Sequence, residues 1–470
     1  MRSTWLGLSV GILSLIGCNA LWQGYLSPLD DPGDASVASS DLTGVPPDDL
    51  TGADLTGVDQ AGQDLATTPP TPLCGFATVT ANVLSYAAYT TVIPSVSGSA
   101  NNRISVIDTT NDGMTEIAIS DGSTSIKEFS ITKSANKCTA SSVSNCTVAN
   151  SVLDVEALQI SATVGGFIAV TQSNGTAIST CLSYPPTKKD HNNPAFSTNS
   201  TQDRRYITVP RMDVMTNGQF IFSEKSGDST GDRVISLKLD STPNLSALTI
   251  DTIMLNQSSN GSNEPRYASG AHIDPNGADN VLDFVAIEAS GGTQRLAAYN
   301  NNGTAWQIPK WTLGVASNFD ANNDILSAKL SNDNYDDIVT ISNGSAQITT
   351  YMIGATGIVL GANTTIPSGS NSRYKLSFFD LTGDGIDEML AVNQTTNAIS
   401  IFKFDPMTKS FSSAYSLNMR SGYKPVAMAL GHLDKSVTTT IPDIFVLAQN
   451  IGNNSFEVGV FRVVPTGYSF

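Results

Sequence analysis

The chain has 470 residues, which is enough for one large domain or several small ones. Its formal net charge of −17 at pH 7 argues against nucleic acid as a partner, because phosphate binding needs a basic surface. Gly, Ser, Thr and Asn are abundant and no long helical periodicity occurs, so an all-β protein is predicted.

Residues 1–18 are predicted to be a signal peptide. Arg2 precedes an apolar run, 5–16, that is too short to span a membrane comfortably. The run ends in Leu-Ile-Gly-Cys, with Cys18 last, and this resembles the lipobox of bacterial lipoproteins. The resemblance implies cleavage before Cys18, a lipid on that cysteine, and anchoring to the outer membrane at its periplasmic or cell-surface face. The alternative is an ordinary secretory signal with an incidental cysteine.

Residues 19–73 are predicted to be a disordered acidic tether. The sequence Asp-Leu-Thr-Gly occurs at 41–44, 49–52 and 54–57, and no Lys or Arg occurs between 19 and 72. Such a segment buries too little apolar surface to offset its ordering entropy. A pentapeptide-repeat coil is the alternative, but four repeats are too few to build a stacked core.

Residues 74–470 contain seven repeated units at a spacing of roughly 50–60 residues, a period typical of propeller repeats. Each unit has an apolar strand, a loop, a second apolar strand, a Gly/Asn turn and a third, alternating strand. The predicted second strands are 117–119, 167–170, 220–222, 284–287, 338–341, 389–392 and 444–447. The pattern predicts a seven-bladed β-propeller of four-stranded antiparallel blades. Residues 76–96 are predicted to supply the outer strand of the last blade.

Two of the loops carry oxygen-bearing side chains at positions 1, 3, 5 and 9, with Gly at position 6. Such side chains can converge on one hard cation, and Gly permits the sharp turn, so Ca²⁺ is the expected cofactor. A metal-free Asp/Gly turn is the alternative. The predicted ligands are Asp380, Thr382, Asp384 and Glu388 in the sixth unit, and Asp108, Thr110, Asp112 and Glu116 in the first.

These units resemble the FG-GAP/VCBS repeats of integrin α-subunit heads and many bacterial surface proteins. The resemblance covers roughly residues 100–464 and rests on an acidic loop, D-x-N/D-x-D-G-x-x-D, followed by an apolar strand. It implies calcium at the first and sixth loops. The fifth loop has Lys329 at its first position, where a cation would compete with a metal, so that loop is expected to be metal-free.

Four cysteines follow Cys18: Cys74, Cys138, Cys146 and Cys181. An even number in an exported domain predicts disulfides, and three pairings are possible. Cys138 with Cys146 is the simplest choice because a short segment separates them. That choice would leave Cys74 to pair with Cys181.

Motifs for catalysis are missing from the sequence: it contains no H-E-x-x-H, G-x-S-x-G or phosphate-binding glycine loop. Lys188–His191 borders a polar insertion that is a candidate binding loop, with a solvated loop as the alternative. The leading interpretation is a lipid-anchored, non-catalytic propeller that binds a protein or polysaccharide at the cell envelope. One alternative is a polysaccharide lyase or hydrolase acting at the propeller funnel. Another is a structural envelope component in which calcium only stiffens the blades.

Overall fold

The computed structural model describes residues of the second of the chain's two units, Thr68–Phe470. Predictions for residues 1–73, including Cys18 and the tether, lie outside the described residues, as does Cys74. The described ranges are 78–80, 85–97, 102–120, 125–134, 137–147, 152–161, 164–171, 180–184, 188–191, 202–208, 219–226, 233–238, 249–254, 268–271, 273, 283–290, 293–300, 311–314, 324–342, 346–370, 372–433 and 441–464.

The described part is built from antiparallel strands. Strands β1 to β3 are Thr78–Thr80, Ser85–Ala87 and Thr90–Val96. The strands that follow, β4 to β31, are Ile104–Ile107, Glu116–Ser120, Ser125–Ser134, Lys137–Thr147, Val152–Ser161, Val164–Thr171, Thr180–Tyr184, Lys188–His191, Gln202–Thr208, Gln219–Ser226, Arg233–Lys238, Thr249–Met254, Ala268–Ala271, Asp283–Ser290, Thr293–Tyr299, Trp311–Gly314, Asp324–Ala328, Asp337–Ser342, Gln347–Gly354, Gly357–Thr365, Leu376–Phe379, Glu388–Asn393, Ala398–Asp405, Ser410–Asn418, Tyr423–Gly431, Asp443–Asn450, Phe456–Phe461 and Val463–Val464.

Seven four-stranded sheets account for most of these strands. Sheets 1 to 6 each take four consecutive strands, from β4–β7 through β24–β27, and sheet 7 contains β28, β29, β30 and β3. Every predicted second strand lies within a described strand. The all-β prediction and the four-stranded antiparallel unit are therefore confirmed, and the architecture is propeller-type.

The fourth strand of sheet 7 comes from the other end of the sequence. β3 pairs antiparallel with β30, with Thr90 opposite Val460 and Ile93 opposite Val458. The prediction that the segment before the first unit completes the last sheet is confirmed. A small sheet of β2 between β1 and β31 lies beside it and was not predicted.

The first strands of the sheets contact one another in cyclic order. β4, β8, β12, β16, β20, β24 and β28 each contact the next in that series, and β28 also contacts β4. The contact between β28 and β4 links the last sheet to the first.

The core lies between adjacent sheets because each second strand is apolar on both faces. In β21, Ile338 packs toward sheet 4, whereas Val339 and Ile341 pack toward sheet 6. In β25, Met389 faces sheet 5 and Leu390 faces sheet 7. The alternation follows from the two-residue period of a strand, and it explains why these strands are continuous apolar runs.

Helical structure in the described part is limited to one 3₁₀ turn, Arg373–Lys375, directly before β24. The apolar pattern predicts the first strand of the sixth unit from Tyr374, whereas β24 begins at Leu376. Within the described residues, no helix has both the length and the apolar character needed to span a membrane.

Candidate functional site

The sixth acidic loop is closed by its own backbone amides. We call the loop between the first and second strands of a sheet its connector. In the connector of sheet 6, Asp380 Oδ1 accepts the Gly383 N–H at 2.7 Å, and its Oδ2 accepts the Gly385 N–H at 2.7 Å. Asp384 Oδ1 accepts the Ile386 N–H at 3.0 Å. The two carboxylates thereby wrap the chain into a tight turn.

The connector of sheet 1 has the same hydrogen-bond pattern. Asp108 accepts the amides of Asn111 at 2.6 Å and Gly113 at 3.2 Å, and Asp112 accepts the Met114 amide at 2.8 Å. Gly113 and Gly385, both at position 6, have φ values of 86° and 85°. This left-handed conformation favours glycine, so the two loops that the sequence paired are equivalent in backbone as well.

A buried carboxylate at the start of the second strand is the most widely repeated feature of the connectors. Glu388 Oε2 accepts the Leu381 N–H at 2.8 Å, so the second strand holds the second residue of the loop before it. The same contact joins Glu116 to Thr109 at 2.6 Å, Asp283 to Ile273 at 3.1 Å, Asp337 to Leu330 at 3.0 Å and Asp443 to Leu433 at 2.8 Å. We call these five residues the staple carboxylates.

Glu116 and Glu388, which the loop spacing predicts to be metal ligands, act as staples in the structure, a role that the sequence did not reveal. The signal was present, since an acid stands at the start of the second strand even in sheets 4, 5 and 7, whose loops match the calcium motif poorly. Because this acid is present in loops that lack the other predicted ligands, a backbone hydrogen bond explains it better than a metal does.

Burial raises the pKa of three of the staple carboxylates, Glu116, Glu388 and Asp337. Desolvation raises the pKa of Glu116 and of Glu388 above the usual value, against the opposing effect of their backbone hydrogen bonds. For Asp337, burial raises the pKa from 3.8 to about 7, although the Ile353 and Leu330 amides lower it. Burial is therefore the largest influence on the pKa of these three carboxylates.

Neighbouring connectors also bind each other. The Asp387 amide donates to the Lys329 carbonyl at 2.7 Å, and the Lys329 amide donates to Asp387 Oδ2 at 2.6 Å, which joins sheets 6 and 5. Thr115 makes the equivalent contact between sheets 1 and 7, donating its amide to the Leu433 carbonyl at 3.3 Å and its hydroxyl to the His432 carbonyl. The residue before a staple carboxylate thus links adjacent sheets.

A lysine pairs with the middle acid of the sheet 6 connector. Lys403 Nζ lies 3.1 Å from Asp384 Oδ2, with both side chains substantially exposed. Burial acts to raise the pKa of Asp384, but the Ile386 amide and Lys403 outweigh it, so the pKa lies below the usual value. A cation bound through Asp384 would have to displace this ammonium group.

The acids of the two predicted calcium loops are engaged mainly by amides, hydroxyls and Lys403. Thr382 donates its hydroxyl to Glu388 Oε1 at 3.2 Å, and Thr110 donates to Glu116 Oε1 at 3.4 Å. Within the described part of the chain, no three His, Cys, Asp or Glu side chains are grouped so as to hold a metal ion. In this arrangement the predicted ligands act as turn formers, and calcium binding by them stays a prediction.

The strand geometry does not accommodate a disulfide between Cys138 and Cys146. Both residues belong to β7, which pairs with β6 from one end to the other. Eight residues of strand span about 26 Å, whereas a disulfide needs Cα atoms within about 7 Å. The simplest predicted pairing therefore needs correction. Cys181 lies in β10, and the pairings that involve Cys74 remain predictions.

Two other candidate binding features lie in regular structure. Lys188–His191 forms β11, which pairs with β10, so the edge of the predicted binding loop is a strand. Trp311 is an aromatic residue of the type that stacks on sugars, but it is partly buried and meets Tyr335 edge-on with ring centroids 6.0 Å apart. It packs between sheets 4 and 5.

No known protein family and no curated protein matches this sequence. Solved structures share its fold. The BP39L lectin from Burkholderia pseudomallei matches with a TM-score of 0.51 and 12% identity, over 79% of this chain and 97% of the lectin. BBS1N, in complex with ARL6DN, matches with a TM-score of 0.48 and 9% identity, over 81% and 98%. A putative 6-phosphogluconolactonase from Bacteroides fragilis matches with a TM-score of 0.46 and 12% identity, over 74% and 94%. At these identities the likeness concerns the propeller-like fold alone.

Proposed function

We propose that this protein is a lipid-anchored, non-catalytic binding protein of the cell envelope, built as a closed seven-bladed propeller. Its ligand is a protein or a polysaccharide. The FG-GAP/VCBS-like connectors and the lipobox-like sequence before Cys18 support this proposal.

The cyclic contact of the seven first strands carries the proposal. Sheets that contact in a ring form a rigid scaffold with two end faces on which turns and loops are displayed, and binding residues concentrate on such loops. Pairing of β3 with β30 supports closure, because it joins the two ends of the domain within one sheet. Hence the scaffold suits recognition of a large ligand at an end face.

Binding is tested with the full-length protein in detergent, applied to a glycan array and used for capture from envelope extracts. We expect saturable binding of one class of partner, and an excess of the same partner in solution should abolish the retention. A protein that retains neither glycan nor envelope protein would overturn the proposal.

Anchoring is tested by mass spectrometry and membrane fractionation after expression in a Gram-negative host. The proposal expects a lipid on Cys18 and recovery in the outer-membrane fraction, with both lost in Cys18→Ser. An unmodified, soluble wild-type protein would count against the anchor.

Calcium at the connectors of sheets 1 and 6 remains part of the proposal. It is supported by the spacing of Asp108, Asp112, Asp380 and Asp384 and by the shared turn geometry. Calorimetric titration of wild type, Asp384→Ala and Asp112→Ala is expected to show two sites, with one lost in each variant. Equal stoichiometry in all three proteins would remove calcium from the proposal.

A further inference from the structure

The outer strands of sheets 1, 5 and 6 share a register shift. In each sheet, the pairing of the third strand with the fourth is interrupted by a bulge directly before an aromatic residue of the third strand. Each aromatic residue is paired with one residue of the fourth strand: Phe129 with Ser142, Tyr351 with Leu360, and Phe402 with Ser413. The three outer strands can therefore be compared position by position.

Sheet 5 differs from the other two sheets at two exposed positions. Val359 is 51% exposed and Leu360 is 56% exposed. The equivalent residues, also exposed, are Ser141 and Ser142 in sheet 1 and Ser412 and Ser413 in sheet 6. Sheets 1 and 6 form with serine at these positions, so packing within the chain does not require an apolar pair in sheet 5. Exposed apolar residues that the fold does not need are typical of an interaction surface.

The β26–β27 turn of sheet 6 is held against the same strand, β23. The Lys409 carbonyl accepts the Thr350 hydroxyl at 3.0 Å and the Ala362 amide at 3.3 Å. Gly361 permits this close packing, because a Cβ atom there would collide with the Thr350 hydroxyl. Met407, two residues before Lys409, is 91% exposed. The turn thus adds a third exposed apolar side chain along the border of β23, and we call Val359, Leu360 and Met407 the edge patch.

The outer edge of β23 has none of the usual protection against pairing with another chain. β23 is the last strand of sheet 5, and its residues 357–360 include no charged residue and no proline, which are common means of blocking an edge. Consecutive residues of a strand point to opposite faces of the sheet. A partner that contacts both Val359 and Leu360 must therefore lie along the edge itself, as an added strand does.

The charges beside the edge patch are complementary to themselves. Asp405 and Lys409 lie on either side of Met407 in the β26–β27 turn. Asp405 accepts the Met407 amide at 2.9 Å, and a carboxylate has further acceptor sites for a lysine. When a second copy is related by a twofold axis, each charge of one copy can meet the opposite charge of the other. A second copy of this chain therefore fits both the apolar and the charged parts of the surface.

We infer that two copies of this chain associate through the outer edge of sheet 5. Residues 357–360 of one copy pair antiparallel with the same residues of the other, and Val359 and Leu360 pack across the twofold axis. Met407, Asp405 and Lys409 border this contact. Because the paired segment is short, the interface belongs to the small, weak class.

The test is sedimentation velocity of the full-length protein in density-matched detergent, with micelles in excess, over a wide range of protein concentration. We expect a monomer–dimer equilibrium. In Val359→Ser/Leu360→Ser the dimer should dissociate at least about tenfold more readily, because each substitution removes buried apolar surface from both copies. The melting temperature should stay near that of wild type, since sheets 1 and 6 carry serine at the same positions. Val143→Ser, which changes an exposed valine of sheet 1, is the matched control and should associate as wild type does.

The charged border is tested with Lys409→Asp. Lys409 has a φ of 55°, a conformation that Asp tolerates well, so the turn should be kept. The substitution places like charges opposite each other, so association should weaken, and the effect should shrink as salt is added. In wild type, hydrogen exchange of the amides at 357–360 should slow as the protein concentration rises.

Three results would overturn the inference. The first is a wild-type protein that stays monomeric at every concentration, and the second is a dimer that Val359→Ser/Leu360→Ser does not weaken. The third is capture of a different protein at this edge without self-association. None of them bears on the proposed function, because retention of a glycan or an envelope protein is measured separately and does not need two copies.

Discussion

At the residue scale, the staple carboxylates stand out because each is an acidic side chain that is buried. Asp337 is fully buried and accepts two backbone amides, from Leu330 at 3.0 Å and from Ile353 at 2.8 Å. Its connector begins with Lys329 and is expected to be metal-free. The effect of Asp337 on stability can therefore be measured without a contribution from calcium.

Replacing Asp337 by Ala is expected to lower the free energy of unfolding by about 2–4 kcal/mol, because two buried amides lose their acceptor. Chemical denaturation measures this change. Asp333→Ala is the control: Asp333 lies in the same loop and accepts only the Tyr335 amide in the described network, so its cost should stay below about 1 kcal/mol. Equal costs for the two variants would contradict a staple role.

The raised pKa of Asp337, about 7, predicts a pH-dependent stability. Between the unfolded pKa of 3.8 and the folded value near 7, the folded state binds a proton that the unfolded state has released. This contribution to stability is therefore complete below pH 3.8 and is lost as pH rises to 7, at up to about 1.4 kcal/mol per pH unit. It should change no further once the pH is about one unit above 7.

The measurement is the free energy of unfolding of wild type and Asp337→Asn from pH 4 to pH 8. The difference between the two curves should fall with rising pH and flatten above 7. Glu116 and Glu388 act in the same direction in both proteins, so they cancel in the difference. A constant difference across this range would show that Asp337 titrates normally.

At the element scale, side-chain contacts as well as backbone hydrogen bonds hold β3 on sheet 7. Thr91 donates its hydroxyl to Glu457 Oε1 at 3.1 Å, and Glu457, buried in β30, also pairs with the guanidinium of Arg420. Arg420 in turn lies over the Tyr423 ring, with Cζ 4.0 Å from its centroid. We call Thr91, Glu457 and Arg420 the closing cluster, because it ties the N-terminal strand to a C-terminal sheet.

Glu457→Ala should loosen β3 selectively. The Thr91 hydroxyl and the Arg420 guanidinium lose their shared partner, at an expected cost of about 1–3 kcal/mol. Hydrogen exchange of the β3 amides should accelerate by about tenfold or more, because local opening needs less free energy.

Asp405→Ala serves as the control, since the described contacts of the Asp405 carboxylate lie within the β26–β27 turn. It should leave exchange in β3 unchanged. Unaltered β3 protection in Glu457→Ala would show that the ladder alone holds the strand.

At the scale of the whole molecule, sheet 7 depends on a strand far from its partners in sequence. β3 buries Val92, Ile93 and Val96 against sheets 7 and 1. Without it, β30 would become an open edge and these apolar contacts would be lost.

Deleting residues 1–97 is expected to lower the melting temperature by on the order of 10 °C and to promote aggregation. Deleting residues 1–73, which keeps β3, should leave the melting temperature near that of the full chain. Differential scanning calorimetry and size-exclusion chromatography measure both effects. Equal melting temperatures for the two truncations would mean that β3 is dispensable for the ring.

The site was less predictable than the fold. Asp380 and Asp108 were correctly paired from spacing alone, because a loop that turns sharply needs Gly at a fixed position. The staple role of Glu388 could not be separated from metal ligation, because both require an acid at the same position. The contact of Arg103 with Tyr374 had no sequence signal, since the two residues are 271 positions apart and belong to sheets 1 and 6.

The sequence by itself determined the seven units, the three strands of each unit and the origin of the strand that completes sheet 7. Two-residue alternation, buried apolar runs and Asp/Gly turns are local signals, and each is readable within a few residues. Only the tertiary structure decided which acids brace the connectors, why Cys138 and Cys146 lie far apart on one strand, and that Arg103 lies against Tyr374 of another sheet. Those outcomes depend on which backbone amide or side chain lies nearby in the folded protein. Strand pairing and sheet packing determine that neighbour, and neither can be read from a few residues of sequence.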